Sequence, residues 1–162
     1  MISFEDFQKR TDVITGSEAD LIRDKYITKF VDIYSDYYKK YITIKELFKD
    51  GQFYVGYLWD CLKCPELKTE KQIIDSVELM GGQVIYVLWD LHSSEKILIK
   101  DYWKFPKEAV LRIRCDDLLA GLKYLPEDIY LFDKEFIWSL IFTHEYYDDG
   151  SRYCLKAKAA CS

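Results

Sequence analysis

The chain has 162 residues, a length that fits one domain and can bury a core without disulfides or a bound metal. Apolar residues make up 49% and charged residues 31%, a balance that excludes a disordered chain. The net charge of −5 argues against a nucleic-acid binder, which needs a basic face, and is compatible with a basic protein partner.

The first third of the chain predicts helices. Residues 3–10 place two phenylalanines on one side and predict a short helix. Ser17 is a suitable N-cap for a second helix, which we expect to continue without a break to Lys40. Apolar residues recur there every three or four positions and form one stripe: Ile22, Tyr26, Phe30, Ile33, Tyr37 and Tyr41. A short helical turn is expected at residues 44–49.

The middle of the chain predicts strands on either side of a third helix. Residues 53–59 are apolar and aromatic, and so short a run predicts a buried strand. The third helix is expected from Pro65 to Met80, where Gly81-Gly82 ends it. Residues 84–89 predict another strand, and residues 96–100 predict its return in a hairpin.

The last third predicts strands at residues 109–115, 129–132, 136–144 and 152–156, and a short helix at residues 116–123. Helices first and then mainly hairpin-linked strands indicate an α+β fold, with N-terminal helices packed on one face of a mainly antiparallel β-sheet. We expect a single domain over residues 1–157, followed by a disordered tail or cloning remnant over residues 158–162.

The termini and the cysteines bear on the cellular location. The N-terminus lacks the basic region and apolar run of a signal peptide, and no apolar stretch approaches the roughly 18 residues of a membrane span. The cysteines are Cys61, Cys64, Cys115, Cys154 and Cys161. An odd count without an export signal predicts free thiols in a reducing compartment. We therefore expect a cytoplasmic protein that does not enter a membrane.

Two short motifs are candidates for chemistry. Cys61-x-x-Cys64 has the spacing of a zinc-binding or redox pair. No second such pair supplies two further ligands, and Pro65 follows directly, so we expect incidental thiols, no metal and no cofactor. The two histidines, His92 and His144, occur without a nucleophile elbow, an HExxH or a phosphate-loop motif. We expect His144 to link the end of a strand to a neighbouring loop by hydrogen bonds.

The tripeptide Leu-Trp-Asp occurs twice, at residues 58–60 and 88–90. We expect each tryptophan to pack inward at the end of a strand and each aspartate to begin a turn. The alternative is a binding site in which an aromatic ring and a carboxylate act together. Two copies are too few for a repeat protein.

Acidic residues concentrate between Glu127 and Asp149, where Lys134 is the single lysine or arginine. The candidate partner face consists of Glu127, Asp128, Asp133, Glu145, Asp148 and Asp149, with Tyr146 and Tyr147 as aromatic anchors. The alternative interpretation is a solvated rim of turns and edge strands. If the segment docks, its charges should steer a basic partner.

The C-terminal third also shows an ordered pattern of residues. Asp128-Ile129-Tyr130 is followed by Asp133, then by Phe136-x-Trp138, and then by Thr143-His144-Glu145. This order resembles the end signature of a family of small bacterial proteins of unknown function, and Tyr57-Leu58-Trp59 is similar to an upstream segment of that family. The chain departs from the pattern at Ser139, at Asp60, and at residues 152–155, where the family has a Gly-Pro aromatic ending.

The resemblance implies no catalytic residues. It implies a relation to immunity-type or antitoxin-like proteins that are encoded beside bacterial toxins. We expect the signature residues to be structural: Trp59, Asp60, Trp89, Asp90, Trp138, Thr143 and His144.

Together these features predict a small acidic cytoplasmic binding protein, not an enzyme, and more specifically an immunity-type inhibitor of a basic bacterial toxin. No nucleic-acid or membrane partner is expected, and the oligomeric state stays open. The alternative is a small enzyme, or a thiol or metal protein, that uses the Cys61–Cys64 pair or His144.

Overall fold

The computed structural model describes residues 2–161, and it consists of a large sheet with helices on both sides. The α-helices are α1 (Phe4–Lys9), α2 (Gly16–Phe30), α3 (Glu70–Met80) and α4 (Cys115–Ala120), with short helical turns at Tyr38–Ile42, Leu58–Cys61 and Leu122–Tyr124. The strands are β1 (Asp12–Ile14), β2 (Glu46–Phe48), β3 (Gly51–Phe53), β4 (Glu66–Lys68), β5 (Val84–Trp89), β6 (Val110–Arg114), β7 (Ile129–Phe132), β8 (Trp138–Tyr146) and β9 (Arg152–Lys158). Within residues 2–161, no helix is both long and apolar enough to cross a membrane.

The main sheet has seven strands in the order β1-β6-β5-β7-β8-β9-β4, and β2 pairs with β3 in a separate hairpin. Every pairing between these strands is antiparallel. Strands from both ends of the chain therefore belong to one sheet. The α+β class with an antiparallel sheet, expected from the sequence, is confirmed.

The sheet is covered on both faces, because its central strands are apolar on both sides instead of alternating. All four residues of β7 are buried. Helix α2 packs Tyr26 and Phe30 on one face, while Phe7 of α1, Val77 of α3 and Leu118 of α4 pack in a second core on the other. The expectation that helices cover only one face is therefore wrong.

The second helix is shorter than predicted, since it ends at Phe30 instead of Lys40. The N–H of Asp32 donates to the carbonyl of Cys61 at 2.7 Å, and the N–H of Lys63 donates to the carbonyl of Phe30 at 2.7 Å. This main-chain pairing takes the groups that would continue the helix. The helix also begins at Gly16, one residue before the predicted N-cap.

The segment between α2 and α3 differs most from the prediction. Residues 44–49 form part of the β2–β3 hairpin instead of a helical turn. Of the strand expected at residues 53–59, only Phe53 lies in a strand, at the end of β3, and the chain then reaches the turn Leu58–Cys61 without pairing to the main sheet. Residues 96–100 form no strand, because both neighbours of β5 are already β6 and β7.

Helix α3 and the last strand also change the predicted boundaries. The helix begins at Glu70, where Thr69 and Gln72 form a capping box, and residues 66–68 pair with β9 instead. Lys158 ends β9, and the N–H of Ala159 donates to the carbonyl of Ile137 at 3.1 Å. The expected disordered tail is therefore wrong for Lys158 and Ala159, and Ser162 lies outside the described residues.

Candidate binding site

A buried carboxylate lies where β5 ends. Asp90 is 3% exposed, and it accepts hydrogen bonds from the hydroxyl of Tyr54 at 3.0 Å, the hydroxyl of Tyr130 at 2.6 Å and the N–H of Leu58 at 3.0 Å. Burial, and secondarily the charge of Asp128, raises the pKa of Asp90 to about 7. Asp90 thus joins a strand end to two other parts of the chain.

The same network holds the turn Leu58–Cys61 in place. The N–H of Trp59 donates to the hydroxyl of Tyr130 at 3.0 Å, and its indole Nε1 donates to Asp128 Oδ1 at 3.0 Å. Both partners lie in or directly before β7, at the centre of the sheet. The turn therefore has two side-chain attachments to the core in addition to the bond from Leu58 to Asp90.

His144 is attached to the same carboxylate. Its main-chain N–H donates to Asp128 Oδ1 at 2.9 Å, and its Nδ1 lies 3.0 Å from both oxygens of that carboxylate. A carboxylate only accepts, so Nδ1 holds the ring proton and Nε2 is directed toward Glu145, whose Oε1 is 3.5 Å away. His144 links β8 to the loop before β7, as the sequence predicts.

The acidic segment divides into buried and exposed parts. Asp128 and Asp133 are 4% and 7% exposed, so neither belongs to an outer face. Asp133 accepts main-chain hydrogen bonds from Ile137 at 2.7 Å and Trp138 at 3.0 Å, which makes it a structural residue of the β7–β8 turn. Glu127 is half-buried. Asp128 and Asp133 are therefore corrections to the predicted partner face, while Glu127 stays a prediction.

The rest of the predicted face is exposed and lies at the β8–β9 hairpin: Glu145, Tyr146, Tyr147, Asp148 and Asp149. Tyr146 and Tyr147 are 55% and 49% exposed. They border a cleft of about 370 Å³, here called the aromatic cleft, which is lined by Trp59, Asp60, Glu145, Tyr146, Tyr147 and Tyr153. The structure thus adds three residues to the predicted face.

Aromatic rings contact one another in a row along this cleft. The rings of Tyr57 and Trp59 stack at 5.1 Å, Trp59 meets Tyr153 edge-on at 5.7 Å, and Tyr153 meets Tyr147 edge-on at 6.0 Å. The hydroxyl of Thr143 donates to the carbonyl of Tyr153 at 2.7 Å, which fixes β9 to β8 at this point. The walls of the cleft are therefore built on paired strands and on the anchored turn.

Two carboxylates stand among these rings. Partial burial, and also the charge of Glu145, raises the pKa of Asp60. Within residues 2–161, Asp60 forms no ion pair, and Oε1 of Glu145 lies 3.5 Å from Nε2 of His144. Sequence distance explains why Asp60 was not predicted here: it lies far from the acidic segment along the chain and meets it only through the anchored turn.

The two Leu-Trp-Asp tripeptides are in contact with each other, since Asp90 of the second accepts from Leu58 of the first. Trp89 is buried and donates from Nε1 to the carbonyl of Lys107 at 2.7 Å. The inward packing of both tryptophans agrees with the prediction. Asp60 does not begin a turn as expected. It lies inside the short helical turn Leu58–Cys61 and lines the cleft.

The cysteines differ from the prediction of free thiols. Cys64 and Cys161 form a disulfide with their Cα atoms 5.7 Å apart. Antiparallel pairing of β4 with β9 places the segment before Glu66 beside the segment after Lys156, and this brings the two sulfurs together. The cysteines Cys61, Cys115 and Cys154 are buried and free. No cluster of three His, Cys, Asp or Glu side chains within residues 2–161 has the geometry of a metal site.

No protein-family model, no curated protein and no solved structure matches this chain.

Proposed function

We propose that this chain is a binding protein and that the β8–β9 hairpin, together with the turn Leu58–Cys61, is its surface for a basic protein partner. The observation behind this proposal is the aromatic cleft, in which exposed tyrosines and two carboxylates stand on an anchored support. Tyrosine and tryptophan supply most of the binding energy at many protein interfaces, while charges around them direct the encounter. Asp148 and Asp149 extend the negative charge beyond the cleft.

Rigidity of the site supports this function. A surface that is ordered before binding loses less conformational entropy when the partner arrives. Trp59 is fixed by Asp128 and Tyr130, and the hairpin strands are paired through β8 and β9. The two halves of the face are thus held in register by the buried network around Asp90.

One arrangement favours a second candidate, an enzyme that uses His144. A buried carboxylate at Nδ1 of a half-exposed imidazole is the geometry of a general base. Nε2 of His144, however, faces Glu145 at 3.5 Å. The hydrogen bonds to Asp128 also serve to attach β8 to the preceding loop, so binding remains the better-supported function.

Among binding proteins, we place the chain with inhibitors of the immunity type. The acidic net charge, the exposed aromatic residues and the resemblance of the Asp-Ile-Tyr, Phe-x-Trp and Thr-His-Glu pattern support this assignment. Basic toxins are recognised by acidic inhibitors through steered, complementary surfaces. The cytoplasm is the compartment in which such an inhibitor would protect its host.

The test is co-expression of the chain with the products of the genes that flank its own. We expect one of these products to be basic, to inhibit growth alone, and to form a stable complex that restores growth. Tyr147→Ala in the cleft should weaken the complex, while Tyr34→Ala, which alters a tyrosine that is 80% exposed elsewhere, should not. Absence of both a complex and growth rescue with every flanking product would refute the inhibitor assignment.

A further inference from the structure

The aromatic cleft has the chemistry of a receptor for one positive charge. Its lining contains four aromatic rings and two carboxylates, and no lysine or arginine lines it. Aromatic faces attract cations through their quadrupole, and carboxylates accept charge-assisted hydrogen bonds from them. Its volume of about 370 Å³ lies at the low end of ligand pockets, which admits a side chain but not a large cofactor.

A neighbouring cleft provides an internal contrast. It has a volume of about 460 Å³, shares Tyr146 and Tyr147 with the aromatic cleft, and is lined on its other side by Lys68, Lys71 and Arg152. The Arg152 guanidinium already lies 6.0 Å from the centre of the Tyr146 ring. Tyr146 thus already contacts a cation of the chain itself on the side of this neighbouring cleft, whereas no lysine or arginine of residues 2–161 lines the aromatic cleft.

The electrostatics of Asp60 point the same way. Its carboxylate has no ion pair within residues 2–161, and its pKa is raised by partial burial and by the charge of Glu145, while a hydrogen bond from Tyr37 acts in the other direction. Bringing a cation next to two mutually repelling carboxylates would relieve that repulsion. A neutral ligand of the same shape would not.

We propose that the aromatic cleft binds the guanidinium group of a single arginine. Arginine fits better than lysine because its planar group stacks on aromatic rings and its several N–H donors can reach both carboxylates at once. Tyr146 and Tyr147 supply the exposed ring surfaces, Trp59, which is 7% exposed, forms the floor, and Asp60 and Glu145 supply the acceptors. The source of this arginine, a partner protein, rests on the proposed function. The ability of the cleft to bind a guanidinium group is independent of that function.

The test needs no partner. The ¹⁵N-labelled full-length chain is titrated with N-acetyl-argininamide, N-acetyl-lysinamide and N-acetyl-citrullinamide, and the indole N–H signal of Trp59 is followed by NMR. Citrulline keeps the shape of arginine and lacks its charge. We expect a saturable shift with the arginine compound, a weaker one with the lysine compound and none with the citrulline compound.

Two matched double variants test whether the carboxylates of the cleft are responsible for arginine binding. Asp60→Asn with Glu145→Gln removes two charges from the cleft and should weaken arginine binding about tenfold or more. Asp20→Asn with Asp24→Asn removes two charges at exposed positions of α2 outside the cleft and should change it by less than about twofold, since screening weakens distant charges. If the first double variant fails to fold, Tyr147→Ala replaces it.

Four results would overturn the proposal: no saturable shift with the arginine compound, a citrulline shift equal to that of arginine, a lysine affinity equal to that of arginine, or equal losses in the two double variants. The outcome is separable from that of the proposed function. Arginine binding without any basic partner would leave the cleft assignment intact and refute the inhibitor, while a basic partner with no arginine effect would refute only the cleft.

Discussion

The hydroxyl of Tyr130 donates a 2.6 Å hydrogen bond to the carboxylate of Asp90 and at the same time accepts one of 3.0 Å from the N–H of Trp59. The first bond lies between neighbouring strands in the interior, and the second reaches the turn that forms one wall of the aromatic cleft. The core and the candidate binding surface are therefore connected through one side chain. The stability of the fold and the shape of the cleft should respond together to changes at Asp90.

Replacing Asp90 with alanine should strongly destabilise the fold. It would leave the buried donors of Tyr54, Leu58 and Tyr130 without their acceptor. Each unsatisfied donor costs about 1–3 kcal/mol, so the free energy of unfolding in urea should fall by at least about 3 kcal/mol. Asp90→Asn keeps one acceptor and should cost less. Asp36→Ala, at an exposed position, serves as the control, and an equal loss there would contradict this role.

The stability should also depend on pH through Asp90. Its folded-state pKa is about 7, above the ordinary value of 3.8, so the folded chain binds this proton more tightly than the unfolded chain. The stability from this group is complete below the ordinary pKa and is lost as pH rises through 7. Between pH 6.5 and 8, the free energy of unfolding should fall by about 1 kcal/mol more in the unchanged chain than in Asp90→Asn.

His92 acts in the opposite direction over part of the same range, and the comparison with Asp90→Asn, in which His92 is unchanged, removes its contribution. Burial lowers the pKa of His92 to about 4, so its contribution is complete well above the ordinary value of 6.5 and is lost as pH falls through that value toward 4. A loss of stability on acidification from pH 6.5 to 4 that disappears in His92→Gln would identify its own contribution. Identical pH profiles for Asp90→Asn and the unchanged chain would show that Asp90 does not titrate in this range.

His144→Ala removes the ring's hydrogen bond to Asp128 and should lower the free energy of unfolding by about 1–3 kcal/mol. The melting temperature should fall accordingly. His144→Asn places an amide donor near the position of Nδ1 and should recover part of the loss. In both variants, binding of N-acetyl-argininamide should decrease only as far as the folded fraction of the protein decreases. An alanine variant with unchanged stability that abolishes a measured activity would favour the enzyme candidate.

The Cys64–Cys161 disulfide should stabilise the chain under oxidising conditions. It joins two residues with a sequence separation of 97. Closing a loop of that size in the unfolded chain is expected to raise the free energy of unfolding by about 4 to 5 kcal/mol. Cys161→Ser should therefore lower the free energy of unfolding, and dithiothreitol should remove the difference between variant and parent. Equal stability without reductant would show that the bridge does not form.

The hairpin charges and rings should affect different rate constants for a basic partner. Reversing Asp148 and Asp149 to lysine should slow association, and the effect should shrink as salt rises, because exposed charges are screened within about 8 Å at physiological ionic strength. Tyr147→Ala should instead speed dissociation. Surface plasmon resonance at several salt concentrations separates the two. Association that ignores both the reversals and the salt would place the docking face elsewhere.

The sequence by itself determined the elements whose apolar pattern is local. The helix at residues 4–9, the strand at residues 129–132 and the end of α3 before Gly81 follow from periodicity and breakers within a few positions. The structural role of His144 was also predictable, because the main-chain groups at the end of a strand need hydrogen-bond partners whichever element lies beside them.

Only the tertiary structure decided what depends on distant pairing. Helix α2 stops at Phe30 because Cys61 and Lys63 take its next main-chain groups, and nothing in the local pattern marks that point. The sequence predicts that Asp128 is a surface charge. In the structure it is buried and hydrogen-bonded to Trp59 and His144, which belong to two other elements. The aromatic cleft likewise combines a turn and a hairpin that are far apart along the chain. Such contacts are set by the order of strands in the sheet, which the local alternation of apolar and polar residues does not encode.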